Sequence, residues 1–307
     1  MKVGIIGGGA LGSLFASFFA NDEVHLLEPV NLDHGAAIHR DGLVVLEEGS
    51  TRTARVRVSA RPDEIGVCDI VLLCVKAPFT HEALASARAL VGSLTLLVSL
   101  QNGFGITEIL SEFVPAERVF RGVTSQGSTF LGPGKIRHAG AGKTVVGPAS
   151  PLASPEDRKR VEELFRGARI PFEMVASVDR LVWEKLLVNV GINALTGIFD
   201  VKNGVLVQDE DLRAILRAAV GEAVAVARAE GVPFDLDAEV KRVEEVARIT
   251  GENVSSMLQD VRARRVTEID FINGAVVRLA ARHGMETPVN RLLSILVRRL
   301  SERRPSE

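Results

Sequence analysis

The sequence predicts an α/β protein in two parts, a parallel-sheet domain over residues 1–177 and an all-α domain over residues 178–307. Apolar, β-branched runs alternate with helical patterns until about residue 177, and from Asp179 onward only helical periodicity remains. The composition agrees with this division, because 307 residues with 46% hydrophobic and 25% charged side chains are enough for two globular domains.

The first part is predicted to contain short strands separated by turns and helices. The apolar run Asp69–Val75 indicates a central strand that is buried on both faces. Gly42–Glu47 and Thr53–Val58 alternate like a hairpin, and the Gly/Pro-rich segment Gly132–Gly142 is expected to be a loop. The other predicted strands are Val3–Ile6, Glu23–Leu27, Thr95–Leu100, Val119–Thr124, Thr144–Val146 and Phe172–Val175, and the predicted helices are Leu14–Ala20 and Glu156–Arg166.

One predicted helix in the second part is apolar nearly all round and is therefore expected to be buried. It carries Lys185, Asn189 and Asn193 at successive i, i+4 spacings on one side. These residues are either a salt-bridged lysine with two core amides, or a proton donor whose pKa is lowered by burial, with polar neighbours. The predicted helices are Arg180–Ile198, Glu210–Glu230, Ala238–Ile249, Ser256–Arg265, Glu268–His283 and Asn290–Arg303.

The segment after the first strand has the spacing of a phosphate-binding turn. Gly7, Gly9 and Gly12 form G-x-G-x-x-G between a strand and a helix, where free N–H groups and the helix dipole favour an anion. Glu28 ends the next strand, at the distance in sequence where a carboxylate holds the ribose hydroxyls of a dinucleotide. The pattern predicts a Rossmann-type dinucleotide site, and the alternative is a structural turn that binds no phosphate.

Polar residues follow two further predicted strands. Lys76 comes after the strand Asp69–Val75, and Asn102 follows Thr95–Leu100. Ligands bind at the carboxyl ends of parallel strands, so both residues are expected near the cofactor. The alternatives are a surface lysine and an ordinary Asn-Gly turn.

Two capping patterns precede predicted helices near the C-terminus. Ser255 is expected to cap the helix that begins at Ser256, and Thr267-x-x-Asp270 resembles a capping box. Glu268 would then occupy the first helical position, where the dipole favours an ionised carboxylate that accepts hydrogen bonds.

Several function classes are disfavoured by composition. A net charge of -2 predicts no nucleic-acid or anionic-membrane partner, and the basic end Arg298, Arg299, Arg303 and Arg304 is expected to be a solvated helix face. Six scattered histidines and two cysteines with no ligand spacing predict no metal site, and the absence of tyrosine excludes a tyrosine acid. No apolar run is expected to approach the roughly 18 residues of a membrane span. The strand predicted directly after Lys2 leaves no room for a signal peptide, so we expect a cytoplasmic protein.

Four motifs give the chain a resemblance to the ketopantoate reductases (2-dehydropantoate 2-reductases) along essentially its whole length. They are KVGIIGGGALG, QNGFG, WEKLLVNVGINALTGIFDVKNG and ENVSSMLQDVRARRVTEIDFING. The resemblance implies a Rossmann domain joined to a helical domain like that of 6-phosphogluconate dehydrogenase. It also implies NAD(P)H-dependent reduction of ketopantoate to pantoate, a step of pantothenate and coenzyme A biosynthesis. The alternatives are a related reductase of another 2-oxo or 3-hydroxy acid, and a regulator that senses NAD(P) without turnover.

The resemblance also implies roles for individual residues. Lys185 would donate a proton to the keto oxygen, and Glu268 would bond the substrate hydroxyl and reach the cofactor ribose. The substrate would be held by Asn102, Asn189, Asn193, Asn203 and Ser256. The cofactor would be held by Gly7, Gly8, Gly9, Ala10, Leu11, Gly12, Glu28, Lys76, Asn102, Ser128 and Glu268.

The coenzyme is the point at which the sequence departs from the family. The family resemblance implies NADP(H). Family members that use NADPH typically have an arginine just after the second strand, which pairs with the 2′-phosphate of the coenzyme. Here Glu28 stands at that strand end and its carboxylate would repel the phosphate, which favours NAD(H). Lys76 or Arg40 could compensate in part, so NADP(H), NAD(H) and acceptance of both coenzymes stay open at this point. A homodimer is a further expectation, from the long apolar helices of the second part.

Overall fold

The computed structural model describes residues 1–20, 23–168 and 170–302, and the chain divides into two compact units. The first unit consists of Met1–Gln101 and Ile106–Val178. The second consists of Asn102–Gly105 and the residues from Asp179 onward. The boundary between a dinucleotide-binding domain over residues 1–177 and a helical substrate-binding domain over residues 178–307 stays a prediction. The expectations for Arg303 and Arg304 lie outside the described residues.

The first unit is built on an eight-stranded sheet, and seven of its strands overlap strands that the sequence predicts. The strands are β1 (Val3–Ile6), β2 (Val24–Leu27), β5 (Arg57–Ser59), β6 (Cys68–Leu73), β7 (Val91–Ser99), β8 (Val119–Thr124), β11 (Thr144–Pro148) and β12 (Phe172–Met174). Their order in the sheet is β12-β11-β8-β7-β6-β1-β2-β5, and every neighbouring pair is parallel except β8 and β11. The order reverses at β1, because the chain first builds outward to β2 and β5 and then returns to place β6 on the other side of β1.

A second, four-stranded sheet belongs to the same unit and changes two predictions. Its order is β4-β3-β10-β9, with β3 (Leu43–Glu47), β4 (Ser50–Ala54), β9 (Gly127–Gly132) and β10 (Lys135–Gly140). The expected hairpin is β3 with β4, but Arg57–Ser59 belongs to the large sheet. The expected loop Gly132–Gly142 is mostly strand, because β10 pairs with both β9 and β3 and buries Ile136 fully.

Six α-helices accompany these sheets within the described residues, and the first, second and sixth of them contribute buried residues to the core of the unit. That core includes Phe15 and Phe19 of the first helix together with Phe165 of the last, whose rings contact one another. The helices are α1 (Ala10–Phe18), α2 (Leu32–Asp41), α3 (Pro62–Ile65), α4 (Thr80–Ser86), α5 (Ile106–Ser111) and α6 (Pro155–Gly167).

The second unit is helical and is organised around its longest helix, α7 (Asp179–Phe199), which contacts α9, α10, α11 and α13. Most residues of α7 are buried, as its apolar circumference predicts. The other helices are α8 (Val205–Gln208), α9 (Glu210–Ala229), α10 (Leu236–Ile249), α11 (Ser256–Arg262), α12 (Asn273–Arg282) and α13 (Pro288–Glu302).

The length of α7 corrects one expectation. Among the described residues, α7 alone is long and apolar enough to cross a membrane, judged by length and composition. The prediction that no apolar run approaches that length was therefore wrong, because polar residues such as Lys185, Asn189 and Asn193 interrupt the helix without making it polar on average. Of the apolar window, 67% is buried inside the protein, which is typical of a core helix in a globular unit.

The region around Glu268 is also less regular than predicted. In place of one helix over Glu268–His283, a 3₁₀ turn at Ile269–Phe271 is followed by a break at Ile272, and α12 begins at Asn273. Glu268 precedes the turn and no side chain caps it, so the expected capping box is absent there. The predicted cap at Ser255 is confirmed, because its hydroxyl accepts from the Leu258 N–H at 3.1 Å.

Candidate active site

The turn between β1 and α1 has the backbone geometry of a nucleotide cradle. Gly7 has φ +103°, a conformation that side-chain-bearing residues rarely adopt. A Cβ on Gly12 would collide with the Gly7 carbonyl, so both positions require glycine for the turn to close. The predicted spacing of glycines is therefore explained by local geometry.

The N-terminus of α1 is open for an anion. Gly9 is the N-cap, no side chain caps the helix, and a Cβ there would meet nothing within 4 Å. The first-turn N–H groups, including those of Ala10 and Leu11, have no intrahelical acceptor and carry the positive end of the helix dipole. This open, uncapped end fits a pyrophosphate.

Glu28 lies directly beside the glycine turn. It is 7% exposed, and its Oε1 accepts from the backbone N–H of Val30 at 3.0 Å and of Asn31 at 2.8 Å. A Cβ on Gly8 would meet the carboxylate of Glu28 and its methylene carbons. The carboxylate is therefore fixed by the backbone at the end of β2, where the sequence predicts a ribose-binding residue.

A cavity of about 580 Å³ joins these parts within the first unit. It lies where the strand order reverses between β1 and β6, the position that open α/β sheets use for ligands. Its walls include Gly7–Gly9, Glu28, Cys74–Lys76 and Glu82. Lys76 is the basic residue in its wall and Glu28 and Glu82 are the acidic ones, so this wall presents more negative than positive charge.

Two predicted coenzyme contacts lie elsewhere. Arg40 is in the last turn of α2, pairs with Asp41 at 2.9 Å and does not line the cavity. Ser128 lies on β9 of the small sheet, opposite His138, and does not line the cavity either.

The second unit places Lys185 near Glu268. Burial lowers the pKa of Lys185 from 10.5 to about 8, and the negative charge of Glu268 acts in the opposite direction. Asn102 Nδ2 donates to Glu268 Oε2 at 3.3 Å. A lysine with such a pKa is protonated at neutral pH but gives up its proton more readily than an exposed lysine.

The segment Asn102–Gly105 belongs to the second unit through backbone contacts. The Phe104 N–H donates to the Phe271 carbonyl at 2.8 Å, and the Phe104 ring lies 4.8 Å from that of Trp183. Gly103 has φ +94°, and a Cβ there would collide with the Phe271 carbonyl. This packing holds Asn102 beside Glu268, a role that the QNGFG motif alone did not reveal.

Asn189 and Asn193 follow Lys185 along α7, and Asn193 is 6% exposed. Ser256 begins α11, whose N-terminus is tied to α7 because the hydroxyls of Ser255 and Thr196 lie 2.7 Å apart. Thr196 comes one turn after Asn193, so Ser256 lies near that end of the polar row.

Asn203 lies beyond the end of α7. Its Nδ2 donates to Thr250 Oγ1 at 2.9 Å. Among the described residues, its buried Oδ1 has no hydrogen-bond partner. This unused acceptor is available to a ligand, whereas the contacts of its amide nitrogen connect it to α10 and not to Lys185.

Profiles of known families match both units. The profile "Ketopantoate reductase PanE/ApbA" matches residues 3–151, and "Ketopantoate reductase PanE/ApbA C terminal" matches residues 177–301. The chain belongs to the ketopantoate reductase family. A curated relative, the 2-dehydropantoate 2-reductase of Halobacterium salinarum, is 39% identical over 302 residues, covering 97% of this chain and 98% of the relative.

Solved structures agree with this family. A PanE/ApbA family ketopantoate reductase from Ralstonia eutropha superposes with a TM-score of 0.87 at 31% identity, covering 98% of this chain and 99% of that one. The structure of D-mandelate dehydrogenase with NADH and anilino(oxo)acetate superposes with a TM-score of 0.90 at 26% identity, over 98% and 99% of the two chains. The predicted family and fold class, a Rossmann-type unit with an all-α unit, are confirmed.

The described part of the chain contains no group of three or more His, Cys, Asp or Glu residues that could hold a metal ion. Sequence reasoning missed two buried residues: Ser13, whose hydroxyl contacts the Gly8 carbonyl of the glycine turn, and His34, whose ring contacts that hydroxyl. They lie 21 residues apart and match no known spacing, so the sequence offered no signal that they meet.

Proposed function

We propose that this protein reduces ketopantoate to pantoate, the reaction that the names of its relatives indicate for them, and that it does so with a nicotinamide coenzyme. The observation that carries the proposal is Lys185, whose pKa is lowered to about 8 beside Glu268 and Asn102. A buried salt-bridge lysine would keep a high pKa, whereas a proton donor for a ketone needs one nearer neutral pH.

The coenzyme, when bound, supplies the hydride that reduces the carbonyl carbon. The first unit contributes the open end of α1 and the glycine turn, which would hold the pyrophosphate, and Glu28, which would accept from the ribose hydroxyls. Lys76 would face the coenzyme from the wall of the same cavity.

In the second unit, Lys185 would donate a proton to the keto oxygen as negative charge develops there. Glu268 keeps the lysine charged and would accept from the substrate hydroxyl. Asn102, held by Glu268, would orient the substrate without adding charge. A positioned acid of this kind contributes roughly 10²–10⁴ in rate.

The remaining polar residues of this unit would bind the substrate. The amides of Asn189 and Asn193 lie on the same helix as Lys185, and the exposed hydroxyl of Ser256 would contact the carboxylate. Asn203 would use its unpaired Oδ1 to accept from the substrate.

We further propose that NADH is preferred to NADPH. The carboxylate of Glu28 is held in place by two backbone N–H groups, so it cannot easily move away from an added 2′-phosphate. Arg40 is paired with Asp41 and does not line the cavity, which removes one compensating charge. Titration of the protein with each coenzyme tests this, and equal or tighter binding of NADPH would contradict it.

Loss of NADH or NADPH absorbance on addition of ketopantoate tests the activity itself. Lys185→Ala should lose far more kcat than KM. Lys241→Ala serves as the control, because Lys241 is an exposed lysine on the adjacent helix α10. Coenzyme binding without any turnover would favour the alternative function, a regulator that senses NAD(P).

The similarity to D-mandelate dehydrogenase favours a second candidate, a reductase of another 2-oxo acid. A panel with ketopantoate, phenylglyoxylate and smaller 2-oxo acids separates the two. Ketopantoate should have the highest kcat/KM, and a higher value for an aromatic acid would establish the alternative.

The homodimer and the cytoplasmic location stay predictions. The surface to test for dimerisation is an exposed row on α13, formed by Leu292, Ile295 and Leu296 at i, i+3 and i+4 spacing. Light scattering of Leu292→Lys/Leu296→Lys beside the unaltered protein would show whether this row joins two copies.

A further inference from the structure

A chain of three hydrogen bonds connects the glycine turn to the small sheet inside the first unit. The Ser13 hydroxyl contacts the Gly8 carbonyl at 2.8 Å and His34 Nε2 at 2.9 Å. At the far end, the Gly134 N–H donates to His34 Nδ1 at 2.9 Å. Ser13 and His34 are both fully buried.

The direction of these bonds is determined by the donors. Gly134 can only donate, so Nδ1 accepts and the ring proton resides on Nε2. His34 then donates to Ser13, which leaves the hydroxyl proton for the Gly8 carbonyl. Burial lowers the pKa of His34 from its ordinary 6.5, although Glu28 raises it in part, so the neutral ring that this arrangement needs is the form present at neutral pH.

The bond from the Ser13 hydroxyl to the Gly8 carbonyl determines how the glycine turn faces the cavity. A trans peptide is planar and its C=O and N–H point in opposite directions. Because Ser13 holds the Gly8 carbonyl toward the buried side, the Gly9 N–H of the same peptide is turned the other way, toward the cavity that Gly8 and Gly9 line.

The same residues are joined to the ribose end of the cavity. Asn31, whose N–H donates to Glu28, accepts with its side chain from the His34 N–H at 3.0 Å. The Asn31 side chain, which caps the start of α2, therefore holds the backbone of His34, and the ring of His34 reaches Ser13 from there. One path of hydrogen bonds, through the half-buried Asn31 and the fully buried His34 and Ser13, thus links Glu28 with the Gly8–Gly9 peptide.

We propose that Ser13 and His34 are positioning residues for the coenzyme: they hold the Gly8–Gly9 peptide in the orientation that presents the Gly9 N–H to the pyrophosphate. Neither residue touches the coenzyme, and the inference rests on the proposed function of the first unit. Removing the hydroxyl frees the peptide to rotate, so binding loses an oriented donor.

The test measures the Kd of NADH, and of NADPH in parallel, by quenching of coenzyme fluorescence in the full chain without substrate. Ser13→Ala should raise the Kd about tenfold, and Ser13→Thr, which restores a hydroxyl, should bring it back to within about threefold. His34→Leu should resemble Ser13→Ala, and the double variant should be no weaker than either, because one path is broken in each case. His39→Gln, an exposed histidine on the same helix, is the matched control.

A second probe separates positioning from general damage. Adenosine has no phosphate, so its affinity, measured by calorimetry, should change less than about twofold in Ser13→Ala. A Kd for NADH within twofold of the unaltered protein, or an equal loss of adenosine affinity, would overturn the proposal, and a lowered Tm alone would not support it. If the unaltered protein binds neither coenzyme, the proposed function fails and this inference fails with it.

Discussion

The pH dependence of reduction should follow the charge of Lys185. The lysine must be protonated to donate, and burial has lowered its pKa to about 8. The protonated fraction is then about 0.9 at pH 7 and about 0.1 at pH 9, so kcat should fall about tenfold between these pH values. An ordinary lysine with a pKa near 10.5 would keep kcat almost unchanged over the same range.

A substitution at Glu268 should shift the pH at which kcat falls, and the direction of that shift can be checked. Its negative charge raises the pKa of Lys185 against the effect of burial. Glu268→Gln removes the charge while its side-chain oxygen can still accept from Asn102, so the fall in kcat should move to lower pH. Because Gln would also weaken substrate contacts, the position of the fall is the readout, and the absolute rate is not.

The assay is stopped-flow or steady-state coenzyme oxidation at saturating ketopantoate from pH 6 to pH 10. Lys185→Arg should give a slower reaction with no fall in this range, because a guanidinium stays charged. Lys241→Ala should reproduce the unaltered profile. A fall that moves to higher pH in Glu268→Gln, or one that persists in Lys185→Arg, would refute the assignment of the proton to Lys185.

Three further predictions concern the coenzyme, the stability of the second unit and the substrate segment. Glu28→Gln keeps an acceptor for the backbone but removes the charge, so the ratio of NADPH to NADH affinity should rise at least about tenfold in coenzyme titrations. The carboxyl of Glu244 is buried, and its hydrogen bonds to Arg213 and Arg217 lower its pKa from 4.5 to about 2. This pair therefore stabilises the fold above about pH 4.5 and loses that effect as the pH falls toward 2, so Glu244→Gln should cost about 2 kcal/mol in urea unfolding at pH 7 and much less near pH 2.5. Gly103→Ala must relieve a collision with the Phe271 carbonyl, and should raise KM for ketopantoate at least about tenfold with little change in the Kd of NADH; a coenzyme affinity that fell equally would show wider damage.

The parts of the fold that the sequence predicts well are those with local signals. The turn from β1 to α1 needs glycine at fixed positions, and α7 shows its burial and its polar row in a single stretch of sequence. Lys185 and Glu268 are far apart in sequence, and their proximity was expected only through the family resemblance. The pKa value of Lys185 could not be predicted, because it depends on the balance between burial and one neighbouring charge.

The errors arose where tertiary contacts override local composition. Glycine-rich β10 looks like a loop, yet it pairs with β9 and also with β3, a strand distant in sequence, and its Ile136 reaches the core. The regular helix expected after Glu268 is interrupted because the Phe271 carbonyl accepts from Phe104, more than a hundred residues earlier. Ser13 and His34 escaped notice for the same reason.

Because Asn102–Gly105 belongs to the helical unit, the coding sequences for the two halves of the chain are expected to depend on each other. A gene encoding only the residues from Asp179 onward would lack Phe104, whose ring contacts Trp183 and whose backbone N–H donates to the Phe271 carbonyl. A gene for the preceding half would carry those four residues without their surroundings. Recombination at the middle of the chain would thus separate pieces that need each other, and the two halves are expected to pass between genomes as one.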